Sequence, residues 1–201
     1  MNAALFFAGL LVVSGAPTPS PAVSSPPDMK NLLVYGDHWG FFTREPDGWT
    51  GHTERSGEIG SNVFFLHTGE SLEQNGSLIR VSIEPKDDTT VERDLAADMA
   101  RFKKSEPDVQ FADFQADYPG GSVFAKIYRR SNGDEYVAYV DVAPGAKVYF
   151  IVSYDPPVRE SATEADLNAY RAVITSLKCC ISSVLQSSPP PATPFNERGS
   201  L

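Results

Sequence analysis

The feature that most constrains the fold is a hairpin pattern in the second half of the chain. The runs Val123–Arg130 and Tyr136–Val142 alternate in polarity, and Ser131-Asn132-Gly133-Asp134 separates them. Asn-Gly accepts the positive φ angles of a type I′ turn, so the two runs are predicted to pair as antiparallel strands. A Pro144-Gly145 turn then leads into Val148–Tyr154, which extends the pairing to a meander.

Both faces of this meander are apolar, which predicts that both faces are covered. One face carries Tyr136, Ala138, Val140 and Val142, and the other carries Val137 and Tyr139. Two amphipathic segments can supply the cover. Their apolar stripes are Val91, Leu95, Met99 and Phe102 in the first segment, and Leu167, Tyr170, Val173, Ile174 and Leu177 in the second.

Capping patterns indicate where the two helices begin. Thr89 with Glu92, and Ser161 with Glu164, each match the Ser/Thr-x-x-Glu capping box. Pro107 is expected to end the first helix, since proline cannot continue one.

One further strand, Val109–Ala116 with a bulge, is predicted between the first helix and the meander. Three more strands are predicted before the first helix. The first contains Phe41 and ends at the Pro46-Asp47-Gly48 turn, the second is Val63–His67, and the third is the alternating run Leu78–Glu84. Thr50–Ser61 reads as a loop or an exposed hairpin. The expected class is therefore α+β, with a single antiparallel sheet and helices packed on its faces.

The turn Pro46-Asp47-Gly48-Trp49, the mid-chain helix, the aromatic meander and a final helix ending at Ile174-Thr175-Ser176-Leu177-Lys178 resemble the PsbP-like superfamily. That superfamily includes extrinsic photosystem II proteins of the lumenal side, Mog-type proteins and bacterial envelope proteins of the DcrB type. The resemblance covers about residues 37–180. It implies an α/β/α sandwich with a binding or assembly role and no catalysis, and it transfers no functional residue to this chain.

The ends of the sequence differ in character from its middle. An apolar run, Ala3–Val13, is too short for a membrane span but typical of a signal peptide. We therefore expect a signal peptide over residues 1–16, a Pro/Ser-rich linker over 17–28, one domain over 29–185 and a disordered Pro-rich tail over 186–201. This predicts a secreted or periplasmic protein. The alternative is an intracellular protein that starts at Met29, because no Lys or Arg precedes Lys30.

Charge, cysteine spacing and missing motifs argue against several classes of partner and enzyme. The formal net charge is −9, which disfavours nucleic acid and anionic membrane surfaces as partners. The two cysteines, Cys179 and Cys180, are adjacent, and no metal ligands lie at suitable spacing beside them. The sequence lacks a Gly-x-Ser-x-Gly elbow, a P-loop, a Rossmann glycine pattern and a His-Glu-x-x-His motif. We expect no catalysis and no cofactor.

Aromatic residues around the first strand are the candidate binding site. Trp39, Phe41, Phe42 and Trp49 cluster there, and aromatics dominate binding hot spots. The alternative is that they pack in the core. We expect Trp49 to pack behind its turn, and His38, Trp39 and Phe41 to line any binding surface.

The alternative function for the same region is that of a metal-dependent protein or an enzyme. It would draw on Asp37, His38, His52 and His67, with Glu54 and Glu58 near in sequence, since imidazole and carboxylate suit zinc. The spacing places no two of these ligands on one rigid element.

Taken together, these features of the sequence favour a monomeric, exported, non-catalytic module that binds a protein partner of the cell envelope.

Overall fold

The computed structural model describes residues 30–36, 39–74, 76–86, 90–143 and 145–179. The predicted α+β class is confirmed, and a second, small sheet is added to it. The elements in chain order are β1 (Asn31–Tyr35), β2 (Gly40–Arg44), β3 (Trp49–His52), β4 (Val63–His67), β5 (Leu78–Pro85), α1 (Val91–Ser105), β6 (Gln110–Asp113), β7 (Ser122–Arg130), β8 (Gly133–Asp141), β9 (Val148–Asp155), α2 (Glu164–Ser176) and β10 (Lys178–Cys179).

The main sheet has seven strands in the order β3-β4-β5-β9-β8-β7-β6, and every neighbouring pair is antiparallel. Two meanders, β3-β4-β5 and β6-β7-β8-β9, join where β5 pairs with β9 along its full length. The small sheet has the order β1-β2-β10. Among the described helices, none is both long and apolar enough to cross a bilayer.

The two faces of the main sheet carry separate apolar clusters, as the alternation in β8 predicts. Tyr136, Ala138 and Val140 face α2 and the small sheet, where they join the larger cluster. Val137 and Tyr139 face α1 and join the smaller one. The helices thus cover opposite faces, and the small sheet shares the α2 side.

Both helix caps differ from the predicted capping boxes. The Thr90 side chain accepts from the backbone N–H of Arg93, and Thr163, not Ser161, accepts from that of Asp166. Each cap is a threonine three residues before the N–H that it accepts from, which is the usual geometry. Each box pattern placed the cap too early, by one residue at α1 and by two at α2.

The β7–β8 hairpin is confirmed, but its turn is not the predicted type I′. Arg130 pairs with Gly133, so Ser131 and Asn132 form the loop. Neither has a positive φ, whereas Gly133 has a φ of 140°. The positive φ therefore falls on the glycine alone, which adopts it without a Cβ clash.

The strands that the sequence did not predict are β1, β3 and β10. The structure has two sheets where the sequence predicted one, because β2 pairs with β1 and β10 and not with a strand of the main sheet. Cys179 in β10 is disulfide-bonded, and Cys180 lies outside the described residues.

Candidate binding site

Trp39 lies at the turn of the β1–β2 hairpin and is half-buried. Its indole ring covers Gly36, where an added Cβ would come within 2.5 Å of the ring. The Gly36 N–H donates to the Trp39 carbonyl at 2.9 Å, which closes the hairpin. The ring also stacks on Phe41, with centroids 6.0 Å apart. Trp39 therefore has both a structural contact and a surface position.

The structure corrects the expected position of Phe41. This residue is fully buried and packs edge-on against Phe150, with ring centroids 4.9 Å apart. Phe41 supports Trp39 from beneath and does not itself reach the surface. Trp49 is 5% exposed and packs in the core, as predicted. His38 lies outside the described residues.

A groove beside β1 brings Trp39 together with residues that sequence reasoning missed. Its volume is about 500 Å³. One wall belongs to the small sheet and the other to the segment that follows β3. The lining residues are Leu33, Val34, Tyr35 and Trp39 on the first wall, and Thr53, Ser56, Gly57, Ser61 and Asn62 on the second.

The small sheet has an apolar inner face and an exposed outer face. Outward positions on β1 and β2 hold Leu33 (46% exposed), Tyr35 (77%) and Phe42 (39%). Only one other large hydrophobic residue is exposed in the described part of the chain, Val158 in the loop before α2. Large exposed apolar residues thus concentrate on one face, which is typical of interaction sites.

Leu33, Phe42 and Lys178 form one row across the three strands, because each is paired with the next. Arg44 lies two residues beyond Phe42 and is also exposed. Its Nε donates to the Asn31 side chain at 3.1 Å. The outer face therefore combines apolar side chains with two cations. We call this face, together with the groove, the β1 surface.

Contacts with β3 and with the end of α2 hold the small sheet in place. Leu32 packs over β3 at Gly51, where an added Cβ would be 2.2 Å from the Leu32 Cδ1. Glu45 accepts from the Gly51 N–H at 3.0 Å. The Ser176 hydroxyl, at the end of α2, lies 3.1 Å from that of Thr43 and accepts from the Arg44 N–H at 3.0 Å. The β1 surface is thus presented on a fixed scaffold.

The residues of the metal alternative that the structure describes lie apart. Trp49 pairs with His67 and His52 with Phe64, so the two histidines lie at opposite ends of the β3–β4 ladder. His67 packs on Trp49, with ring centroids 4.1 Å apart, and its Nε2 lies 3.1 Å from the Asp166 carboxylate. Among the described residues, no group of three or more metal-ligating side chains lies close enough to hold an ion. Asp37 and His38 lie outside those residues, so this alternative stays a prediction.

A second cleft, also of about 500 Å³, separates α1 from strands β5, β8 and β9. Asp98, one of three carboxylates that line it, accepts from the Tyr128 hydroxyl at 3.1 Å and pairs with Arg101. Burial, with a smaller contribution from Asp98, raises the pKa of Tyr128 and Tyr139 well above the usual range. The hydrogen bond between Tyr128 and Asp98 joins β7 to α1.

Comparison with known proteins identifies a structural similarity and no family. No protein-family model matches the sequence, and no curated protein matches it. Among solved structures, the chain is similar to the crystal structure of LpqN, a protein involved in cell envelope biogenesis of Mycobacterium tuberculosis. The TM-score is 0.46 and the identity 12%, over 75% of this chain and 91% of that chain.

Proposed function

We propose that this chain is a non-catalytic binding module of the cell envelope that captures a protein partner at the β1 surface. The observation that carries the proposal is the concentration of exposed Leu33, Tyr35 and Phe42 on one face, beside the groove that Trp39 lines. Aromatic anchors next to a groove are the usual centre of a protein interface.

The proposed location is outside the cytoplasm, as a secreted or periplasmic protein. Its support is the sequence: the apolar run Ala3–Val13 followed by a Pro/Ser-rich segment is the order typical of an exported, tethered domain. Intact-mass measurement of the native protein tests this. A mature chain beginning between Pro17 and Asp28 agrees with export, whereas a cytosolic chain beginning at Met29 contradicts it.

Tyr35→Ser tests the binding surface with little risk to the fold, since Tyr35 is 77% exposed. Val158→Ser is the matched control, because Val158 is the exposed hydrophobic residue away from the β1 surface. The immobilised proteins are incubated with native envelope extract, and the retained proteins are identified by mass spectrometry.

We expect at least one protein to be retained by wild type and by Val158→Ser but lost with Tyr35→Ser. Equal retention by all three proteins would place binding elsewhere on the molecule. No specific retention by wild type would contradict the proposal as a whole.

A further inference from the structure

We infer that the open edge of β1 accepts an extended segment of the partner protein as an added strand, and that this segment carries acidic residues. The inference rests on the proposed function and specifies how the β1 surface binds. It follows from the backbone of β1, from the composition of the edge, and from the charge on the outer face.

The backbone hydrogen bonds of β1 alternate between its two sides. The Lys30 carbonyl accepts from the Glu45 N–H at 3.0 Å, and the Gly36 N–H donates to the Trp39 carbonyl. In an antiparallel pair every second residue bonds to the partner strand, so the even-numbered residues of β1 face β2. The N–H and C=O groups of Leu33 and Tyr35 therefore point away from β2.

No described segment pairs with that side. β1 is the last strand of the small sheet, and neither Leu33 nor Tyr35 has a backbone bond to another described loop. Both residues line the groove, so these donors and acceptors lie along its wall. A row of unpaired backbone groups beside a groove is the arrangement that strand addition uses.

The composition of β1 gives the edge no protection against pairing. Its sequence, Asn31-Leu32-Leu33-Val34-Tyr35, contains neither a charged residue nor a proline. Natural proteins usually place such residues on exposed edge strands to prevent association. By contrast β6, one of the two edge strands of the main sheet, carries Asp113 with a side chain that is 79% exposed. The β1 edge thus retains the features that favour an added strand.

The charge on the outer face favours a partner segment over a second copy of this chain as the added strand. Arg44 and Lys178 form no ion pair with a described carboxylate, and no described outward position on the three strands is acidic. A second copy would bring the same two cations to the interface, and both copies carry a formal net charge of −9 over the whole chain. An acidic segment would complement the cations, so the added strand is expected to alternate apolar residues with Asp or Glu.

The test uses a displayed library of random linear peptides, panned against the full chain. Selected peptides should alternate apolar and acidic residues, and Lys178→Glu should weaken their binding. Leu33→Pro and Leu33→Ala then separate backbone from side-chain binding. Both lose the leucine side chain, but only proline loses the outward N–H, and proline is tolerated on the open side of an edge strand.

Leu33→Pro should bind the selected peptides about tenfold more weakly than Leu33→Ala, the loss expected for one backbone hydrogen bond. If Leu33→Pro misfolds, selected peptides N-methylated at alternate positions replace it on wild-type protein. One set of positions should abolish binding and the other should leave it unchanged.

Equal binding by the two Leu33 variants, or equal effects of N-methylation at both sets of positions, would overturn strand addition while leaving the β1 surface as a binding site. A selection of basic peptides would overturn the charge assignment. Dimerisation that Leu33→Pro abolishes would identify a second copy as the occupant. If the library yields no binder while Tyr35→Ser still loses an envelope protein, strand addition is wrong and the proposed function stands.

Discussion

At the scale of single residues, Gly121 shows how closely two backbone segments approach. A Cβ added there would lie 1.8 Å from the Asp141 carbonyl oxygen. That oxygen belongs to the end of β8, which pairs with β7 beside Gly121. No rotamer change can relieve the contact, since the obstructing atom is backbone.

Gly121→Ala should therefore lower the free energy of unfolding by about 1–3 kcal/mol, the usual cost of overpacking. Gly57→Ala is the control, because an added Cβ there meets nothing within 4 Å. Urea midpoints of the two variants test the prediction. A Gly121→Ala midpoint equal to that of Gly57→Ala would show that the two strands separate without cost.

Single residues of the site were only partly predictable. Trp49 was assigned to the core and is 5% exposed, whereas Trp39, assigned to the surface, is half-buried against the core cluster. Leu33 and Tyr35 were missed because their exposure depends on β1 being a strand at the edge of a second sheet. The signal that could have found them is the short apolar run between Lys30 and Gly36, which suits a strand.

At the scale of elements, the start of α2 distinguishes the predicted cap from the observed one. The Thr163 side chain accepts from the Asp166 N–H at 3.1 Å, and the predicted cap Ser161 lies two residues earlier and is exposed. Thr163→Ala should lower the free energy of unfolding by about 1 kcal/mol, while Ser161→Ala should leave it nearly unchanged.

Thermal unfolding followed by circular dichroism compares the two variants. A larger loss for Ser161→Ala would restore the capping box that the sequence suggested. Equal losses would mean that neither hydroxyl alone caps the helix.

The long elements were predictable because alternation repeats within them. In β8 each face carries several apolar residues, so the two-residue period is evident. That period predicts that a helix packs on each face of the sheet. β10 has two residues, too few to show any period. β3 contains Gly51 because Leu32 packs above it, a contact between segments that no local pattern records. Tertiary packing, not propensity, therefore decided the small sheet.

At the scale of the whole molecule, a chain of alternating charges crosses one end of the main sheet. Glu135 on β8 is 9% exposed and lies between Arg80 on β5 and Arg130 on β7, at 3.1 and 3.2 Å. Arg80 also pairs with Asp155, and Arg130 with Glu106. Burial, reinforced by the nearby Asp155 charge, raises the pKa of Glu135 despite both arginines.

A raised pKa means that the folded state holds the Glu135 proton more tightly than the unfolded state does. The stabilising contribution is then complete below the unfolded pKa of about 4.3 and is lost as pH rises through the folded pKa. The free energy of unfolding of wild type should therefore fall relative to that of Glu135→Gln as pH rises from about 4 to about 7.

Urea titrations across that range measure the difference. Glu164→Gln serves as the control, since the Glu164 side chain is 72% exposed. Its curve should run parallel to that of wild type. A parallel curve for Glu135→Gln as well would show that the arginines fully compensate the burial of this carboxyl group.

The measurement that tests the central claim most directly is residue-resolved amide hydrogen exchange, without and with a selected peptide. In the free protein the Leu33 and Tyr35 amides should exchange fast, because they point to the open edge, and the Val34 amide slowly, because it faces β2. Adding the peptide should slow exchange at Leu33 and Tyr35 and leave Val34 nearly unchanged. Protection that appears along the α1 cleft, with β1 unaffected, would contradict the assignment of the β1 surface as the binding site.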